Sequence, residues 1–216
     1  MKSFISEDNI EQAICNRLSQ PEYGWKRIEC SPELEDQDEV ASTGRANASE
    51  CILPEVFLSA LRRLNPQIDD EILKNILQDF RKDYSGTDMV DTNYKFYNQI
   101  RNGIKVKTRN QHREDFDIVK LIDFDHPERN DFHCVNQMWI KGHFRYRRPD
   151  VLLFVNGLPV VFIELKNSTV KIEESYNKNL VSYRKDIPNI FAMNQICVLS
   201  NGLQTKIGAW NAGYEF

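Results

Sequence analysis

The chain has no C-x-x-C pair. Its five cysteines, Cys15, Cys30, Cys51, Cys134 and Cys197, are odd in number and scattered over 216 residues. That spacing argues against a disulfide framework or a zinc site and predicts reduced thiols. No apolar run approaches the roughly 20 residues needed to cross a bilayer, so no membrane contact is expected. The opening Met1-Lys2-Ser3-Phe4 lacks the apolar core of a signal peptide, which makes the cytoplasm the expected compartment. Glycine is sparse, at nine residues, and nowhere forms G-x-x-x-x-G-K-S/T or a dinucleotide fingerprint. The chain is therefore not expected to bind or hydrolyse ATP by itself. There is also no excess of positive charge. A formal net charge of −4 excludes a uniformly basic nucleic-acid coat, so any DNA contact has to be local.

What is present suits one domain spanning 1–216, with 41% hydrophobic and 28% charged residues, enough for a substantial core. Ile10, Ile14 and Leu18 recur at helical spacing, with Ser6 as the candidate N-cap. A strand is expected near 25–29. The acidic, polar stretch 31–50 reads as a mobile loop. Leu58, Leu61 and Leu64 mark one helix, and Ile72, Leu73, Ile76, Leu77 and Phe80 mark the next. Strands are predicted at 104–107, 117–124 and 134–140, then a hairpin, a helix over 172–183 and a last strand at 195–200. That order gives an α/β fold, a central mixed β-sheet flanked by helices.

The hairpin carries the chemistry. Val151 to Val155 and Val160 to Ile163 flank Asn156-Gly157, the dipeptide best suited to reversing paired strands. Its ends bring Asp150 toward Glu164 and Lys166. A two-residue loop would pair Asp150 with Ile163 and point it away from Glu164, so an irregularity of one residue is predicted. Glu164 and Lys166 interrupt an apolar, buried-type strand, where charge is costly unless paired or metal-bound. Two carboxylates with an ammonium suit phosphodiester hydrolysis. Carboxylate oxygens hold Mg²⁺, for which Mn²⁺ can substitute, and the lysine orients water or neutralises developing charge.

Together these residues resemble the PD-(D/E)xK nuclease superfamily, whose restriction-endonuclease-like core would make Asp150 and Glu164 the metal ligands and Lys166 the residue assisting the water. The neighbouring text is more specific: Leu61-Arg62-Arg63-Leu64-Asn65-Pro66, Leu121-Ile122-Asp123-Phe124, Val135-Asn136-Gln137, Arg148-Pro149-Asp150, Asn156-Gly157-Leu158-Pro159, Asp186-Ile187-Pro188 and Leu199-Ser200-Asn201-Gly202. Over nearly the whole chain it is similar to the N-terminal nuclease domain of the R (restriction) subunit of type I restriction-modification enzymes. The resemblance implies a type I site-specific deoxyribonuclease module. It would cut double-stranded DNA nonspecifically after ATP-driven translocation, alongside methyltransferase (M) and specificity (S) subunits. ATP would belong to translocase domains that the chain is expected to stop before. The alternative is a non-enzymatic DNA-binding or subunit-docking module.

The family also carries a glutamate on an early helix, which Glu11 matches best, with Glu7 competing. Related nucleases place Gln-x-x-x-Tyr on the helix after the lysine, and the matching positions here are Asn179 and Tyr183. Asn179 keeps the amide but is one methylene shorter, and Tyr183 fits a core position as well as a DNA contact. For local DNA contact, Lys141, His143, Arg145 and Arg147 are expected to share one face of an extended segment leading into Asp150. His143 reads there as a basic-face residue rather than a catalytic base. Lys105, Lys107 and Arg109 form a second such face.

Overall fold

The computed structural model describes residues 6–30, 40, 42–110 and 113–215. A six-stranded mixed sheet forms its centre, in the order β1-β4-β7-β8-β9-β10. The strands are β1 (Lys26–Glu29), β4 (Phe132–Asn136), β7 (Val151–Val155), β8 (Leu158–Leu165), β9 (Ile196–Ser200) and β10 (Thr205–Gly208). β1 runs parallel to β4 and β8 parallel to β9, and the other pairings are antiparallel.

Helix α1 (Glu7–Leu18) starts where Ser6 Oγ accepts from the Asn9 N–H at 3.2 Å, the expected cap. Its Ile10 and Cys15 pack on Cys134, Val151, Ile163 and Leu165, closing one face of the sheet. The opposite face is covered by α5, a helix over 172–186, and by α6 (Asn189–Met193). Leu180, Tyr183, Ile190 and Phe191 meet Leu152, Phe154 and Phe162 there. Helices α2 (Pro54–Leu64), α3 (Asp70–Phe80) and α4 (Met89–Asn102) bury Phe57, Phe80 and Phe96 in a lobe that also takes in Leu158.

Several expectations change. β2 (Ile104–Asn110) and β3 (Arg113–Val119) pair only with each other and lie outside the central sheet. The strand expected to reach residue 124 stops at Val119. There the Asn65 side chain accepts from the Lys120 N–H at 2.7 Å and donates to its carbonyl at 2.9 Å, drawing the chain off the ladder. The strand expected over 134–140 breaks at Gln137, whose φ of 58° ends the extended run, and resumes as β5 (Ile140–Lys141). Helix α4 is an addition to the expected elements, its buried stripe being Thr92, Phe96 and Ile100 in an otherwise polar segment. Of the expected loop 31–50, residues 31–39 and 41 lie outside the described residues. Its later part is packed rather than solvated: Thr43, Arg45 and Glu50 are buried, and the Arg45 guanidinium donates to the carbonyls of Glu50 and Trp139 at 3.1 and 3.0 Å.

The hairpin irregularity is present. Asn156 and Gly157 adopt φ of 50° and 79°, and Val155 pairs with Leu158 and Phe154 with Pro159. The register then slips by one, so that Leu153 pairs with Val161 and Val151 with Ile163. Pro159 has no N–H to give the ladder, and Val160 is left as the extra residue of a bulge. Its carbonyl accepts from the Gln195 N–H at 2.9 Å. The turn itself is buried: Gly157 approaches α2 so closely that a Cβ would lie 2.6 Å from the Leu53 carbonyl oxygen.

Candidate active site

The bulge decides where the carboxylates point. With Val151 opposite Ile163, the next position places Asp150 opposite Glu164. Asp150 Oδ2 accepts from the Leu165 N–H at 2.6 Å, which ties the two strands together at the site. Glu164 is 1% exposed, and Lys166 extends its Nζ to Glu164 Oε1 at 3.1 Å and to the Leu165 carbonyl at 2.7 Å.

This is an electrostatically loaded arrangement. Burial, followed by the Asp150 charge, pushes Glu164 up to about 7, while burial, opposed by the Leu165 N–H and Lys166, brings Asp150 to about 6. Burial works against a charged Lys166, yet the Glu164 and Asp150 carboxylates outweigh it and raise its pKa. Glu164 Oε2 is buried, with no hydrogen-bond partner within reach among the described residues. An acceptor in that state is a natural place for a cation. Among the described residues no three His, Cys, Asp or Glu side chains converge as a ready-made metal cage. Asp150 and Glu164 are the pair that could hold an ion, and two carboxylates suit a hard cation such as Mg²⁺ that keeps waters and takes phosphate oxygens for its remaining positions.

Helix α1 supplies two further carboxylates. Glu11, 5% exposed, accepts from Asn136 Nδ2 at 2.9 Å and from the Gln137 amide. Glu7, one turn earlier, reaches Lys166 Nζ at 3.5 Å. Both competing positions thus face the site, Glu11 toward Asp150 and Glu7 toward the lysine. A cleft of about 440 Å³ opens here, lined by Glu7, Asp8, Glu11, Gln137, Arg148 and Asp150. A larger apolar hollow of about 680 Å³, lined by Tyr97, Phe124 and Val155, lies at the turn end of the hairpin, away from this chemistry.

On α5, residues Ser175–Leu180 form a π-helical segment, a feature often found at functional sites. Asn179 lies in it and donates its amide to Glu164 Oε1. Tyr183 is buried, packed edge-on against Phe162, and its hydroxyl donates to the Arg148 carbonyl at 3.3 Å. Tyr183 thus occupies a core position and also adjoins the site: burial, with the Glu164 and Asp150 carboxylates beside it, holds its phenol well above the usual range. Asn179 belongs to the carboxylate site.

The expected basic face is not one face. β5 (Ile140–Lys141) and β6 (Tyr146–Arg147) pair with each other, Lys141 opposite Tyr146, so the chain reverses at 142–145. Lys141, His143 and Arg145 are exposed. Arg147 turns inward, with Nε 2.7 Å from Asp186 Oδ2 and its guanidinium over the Tyr183 ring. Lys105 and Lys107 are exposed on β2, Lys105 against the Phe116 ring, and the side chain of Arg109 lies outside the described residues.

Residues with no role assigned from sequence also enter the site. Gln137 bridges Glu11 and Asp150 Oδ1 (3.4 Å), and its N–H donates to the Asp150 carbonyl at 2.9 Å. Arg148 lines the cleft with its guanidinium 4.9 Å from the Trp139 ring. The signal for Asn136 and Gln137 was available: polar residues ending the apolar strand Cys134-Val135 are costly without a function, the same logic that marked Glu164.

Residues 4–216 match the family model described as type I restriction enzyme R protein N terminus. The type I restriction enzyme HindI endonuclease subunit of Haemophilus influenzae is 29% identical over 98% of this chain and 20% of its own length. The endonuclease subunit named for MjaIXP in Methanocaldococcus jannaschii is 30% identical over the same shares. The SsaAORF53P endonuclease subunit of Staphylococcus saprophyticus is 30% identical over 44% of this chain and 10% of its own length. The chain spans about a fifth of the length of the first two relatives. With a restriction-endonuclease-like sheet, a bulged hairpin carrying Asp150, Glu164 and Lys166, and a family match over almost every residue, the chain belongs to the N-terminal family of type I restriction enzyme R proteins.

Proposed function

We propose that this chain is the Mg²⁺-dependent endonuclease module of a type I restriction enzyme, hydrolysing phosphodiester bonds of double-stranded DNA without reading sequence at the cut. The observation that carries this reading is Glu164: a carboxylate 1% exposed, beside Asp150, whose Oε2 finds no hydrogen-bond partner within reach among the described residues. Asp150 and Glu164 would hold the ion. When bound, it would polarise the scissile phosphate and make a water a stronger nucleophile. Lys166, kept charged by its carboxylate neighbours, orients that water or balances charge building on the phosphate. Gln137 links Glu11 to Asp150 and so holds the α1 carboxylate against the site. The Arg148 guanidinium offers a planar donor for phosphate oxygens on the cleft wall.

In the whole enzyme, ATP-driven translocation by further domains would deliver the DNA, and M and S subunits would supply methylation and recognition. The test is a titration of the 216-residue chain with Mn²⁺ by electron paramagnetic resonance, paired with plasmid cleavage. Binding that disappears in Asp150→Asn and Glu164→Gln, together with metal-dependent nicking by the wild type or by the assembled enzyme, is the expected result. Metal affinity unaltered by both substitutions would remove the basis of the proposal.

A further inference from the structure

The segment from Lys141 to Arg148 alternates cations with aromatics, Phe144 and Tyr146 standing among Lys141, His143, Arg145, Arg147 and Arg148. The fold turns this segment into a small protruding hairpin. The Gly142 N–H donates to the Arg145 carbonyl at 2.8 Å and closes the reversal between β5 and β6. The base of the hairpin is fastened on several sides. Arg147 is bound to Asp186 at the end of α5, and the Lys141 N–H donates to the Ala48 carbonyl at 2.9 Å. His143 Nε2 lies 2.7 Å from Ser85 Oγ and 3.8 Å from Asp83. Gly142 is pressed against the Asp186 carbonyl so closely that a Cβ would collide with it.

At the tip of this anchored reversal Phe144 is 98% exposed, while Tyr146 beside it is 39% exposed. A phenyl ring held wholly in water by a braced turn gains nothing for the fold. What surrounds it selects the occupant. The exposed Lys141 and Arg145 share the hairpin with the ring, and the chain runs from it through Arg148 into a cleft whose other charged lining is Glu7, Asp8, Glu11, Glu29 and Asp150. An anionic polymer repelled by that cleft needs holding from its rim. Asp150 follows Phe144 by six positions, so the two backbones lie within about 20 Å of one another, on the order of six base steps of DNA.

We infer that the β5–β6 hairpin is a DNA-gripping element in which Phe144 stacks on a base within a few steps of the cut while Arg145 and Lys141 take the adjoining phosphates. The inference rests on the nuclease reading above and adds to it a base-stacking contact that tolerates any sequence, since every base presents a π-face. Wedge-like apolar side chains serve elsewhere to open a base step in this way.

The two kinds of contact separate experimentally. Fluorescence anisotropy of the 216-residue chain on labelled duplexes, with and without one unpaired base, is measured at several salt concentrations in a chelating buffer. Phe144→Ala should weaken binding about tenfold, more on the duplex with the unpaired base, and leave the slope of log K against log salt unchanged. Phe144→Tyr should restore binding. Arg145→Ala should flatten the slope by about 0.9 instead. Melting curves report whether each variant is folded, and the exposed ring makes a folding failure of Phe144→Ala an unexpected result. DNA binding by Phe144→Ala equal to wild type, in a protein that binds and cuts DNA, would overturn the stacking role alone. Wild type that neither binds nor cuts DNA would sink the nuclease reading with it. Loss of association with other subunits of the enzyme, at unchanged DNA affinity, would make the hairpin a protein-docking element and the inference wrong.

Discussion

The Asn179 amide donates to Glu164 Oε1, and Lys166 donates to the same oxygen, while Oε2 of that carboxylate is buried with no partner within reach among the described residues. One oxygen of Glu164 is thus oriented by its neighbours, and under the proposed function the other would face the ion. Residues that orient a metal ligand from behind commonly change metal affinity by 10- to 100-fold when removed. Asn179→Ala should therefore weaken Mn²⁺ binding by about that range. Unaltered affinity in a calorimetric titration would reduce Asn179 to a packing residue.

Asp150→Ala, Glu164→Ala and Lys166→Ala, built into the complete enzyme, should each abolish DNA cleavage while ATP hydrolysis and DNA translocation continue. All three side chains stand at one end of one hairpin, and under the proposed function translocation belongs to other domains. Cleavage near the wild-type rate in any of these variants would contradict the division of labour.

The pH dependence follows from the raised carboxyl groups. Asp150 at about 6 and Glu164 at about 7 both stand above their ordinary values, so the folded protein binds protons more tightly than the unfolded chain. Their contribution to stability is then complete below the unfolded carboxyl value of about 4 and is lost as pH rises through 6 to 7. In a chelating buffer the melting temperature should fall across that window, and Asp150→Asn should flatten the fall and erase stabilisation by Mg²⁺. A profile for Asp150→Asn that parallels the wild type would assign the pH dependence to other groups.

Arg147 and Arg145 should behave differently. Arg147 is spent on Asp186, so Arg147→Ala should lower the melting temperature by several degrees, as expected from a lost charge-assisted hydrogen bond of roughly 1 to 2 kcal/mol. Its salt slope for DNA binding should stay close to wild type. A slope reduced as much by Arg147→Ala as by Arg145→Ala would show that the Asp186 pair opens on DNA.

Gln137 is the longest reach from sequence to function. Its side chain spans Glu11 and Asp150 from a backbone position with φ of 58°. Gln137→Ala should reduce kcat with little change in DNA affinity, and Gln137→Glu should do so more strongly by adding a carboxylate between Glu11 and Asp150. Equal effects on KM and kcat would point to a contact with DNA instead.

What the amino-acid sequence determines by itself is what short spacing controls. Asn156-Gly157 reverses the chain, the alternation of β8 sets Glu164 apart from Ile163 and Leu165, and the offset from Asp150 to Glu164 already demanded a one-residue slip. Ser6 with Ile10, Ile14 and Leu18 specifies α1. These contacts lie within a turn or a strand pair, where covalent geometry leaves few choices. Tertiary structure decides the rest. That Glu7 and Glu11 both face the site, that Asn179 and the buried Tyr183 adjoin Glu164 and that Arg147 is claimed by Asp186 all depend on which helix covers which face of the sheet. Periodicity tells which side of a helix is apolar but not what that side will rest against. So an expected basic strand became a braced hairpin, and β2 with β3 left the central sheet, because packing partners distant in the chain settled both.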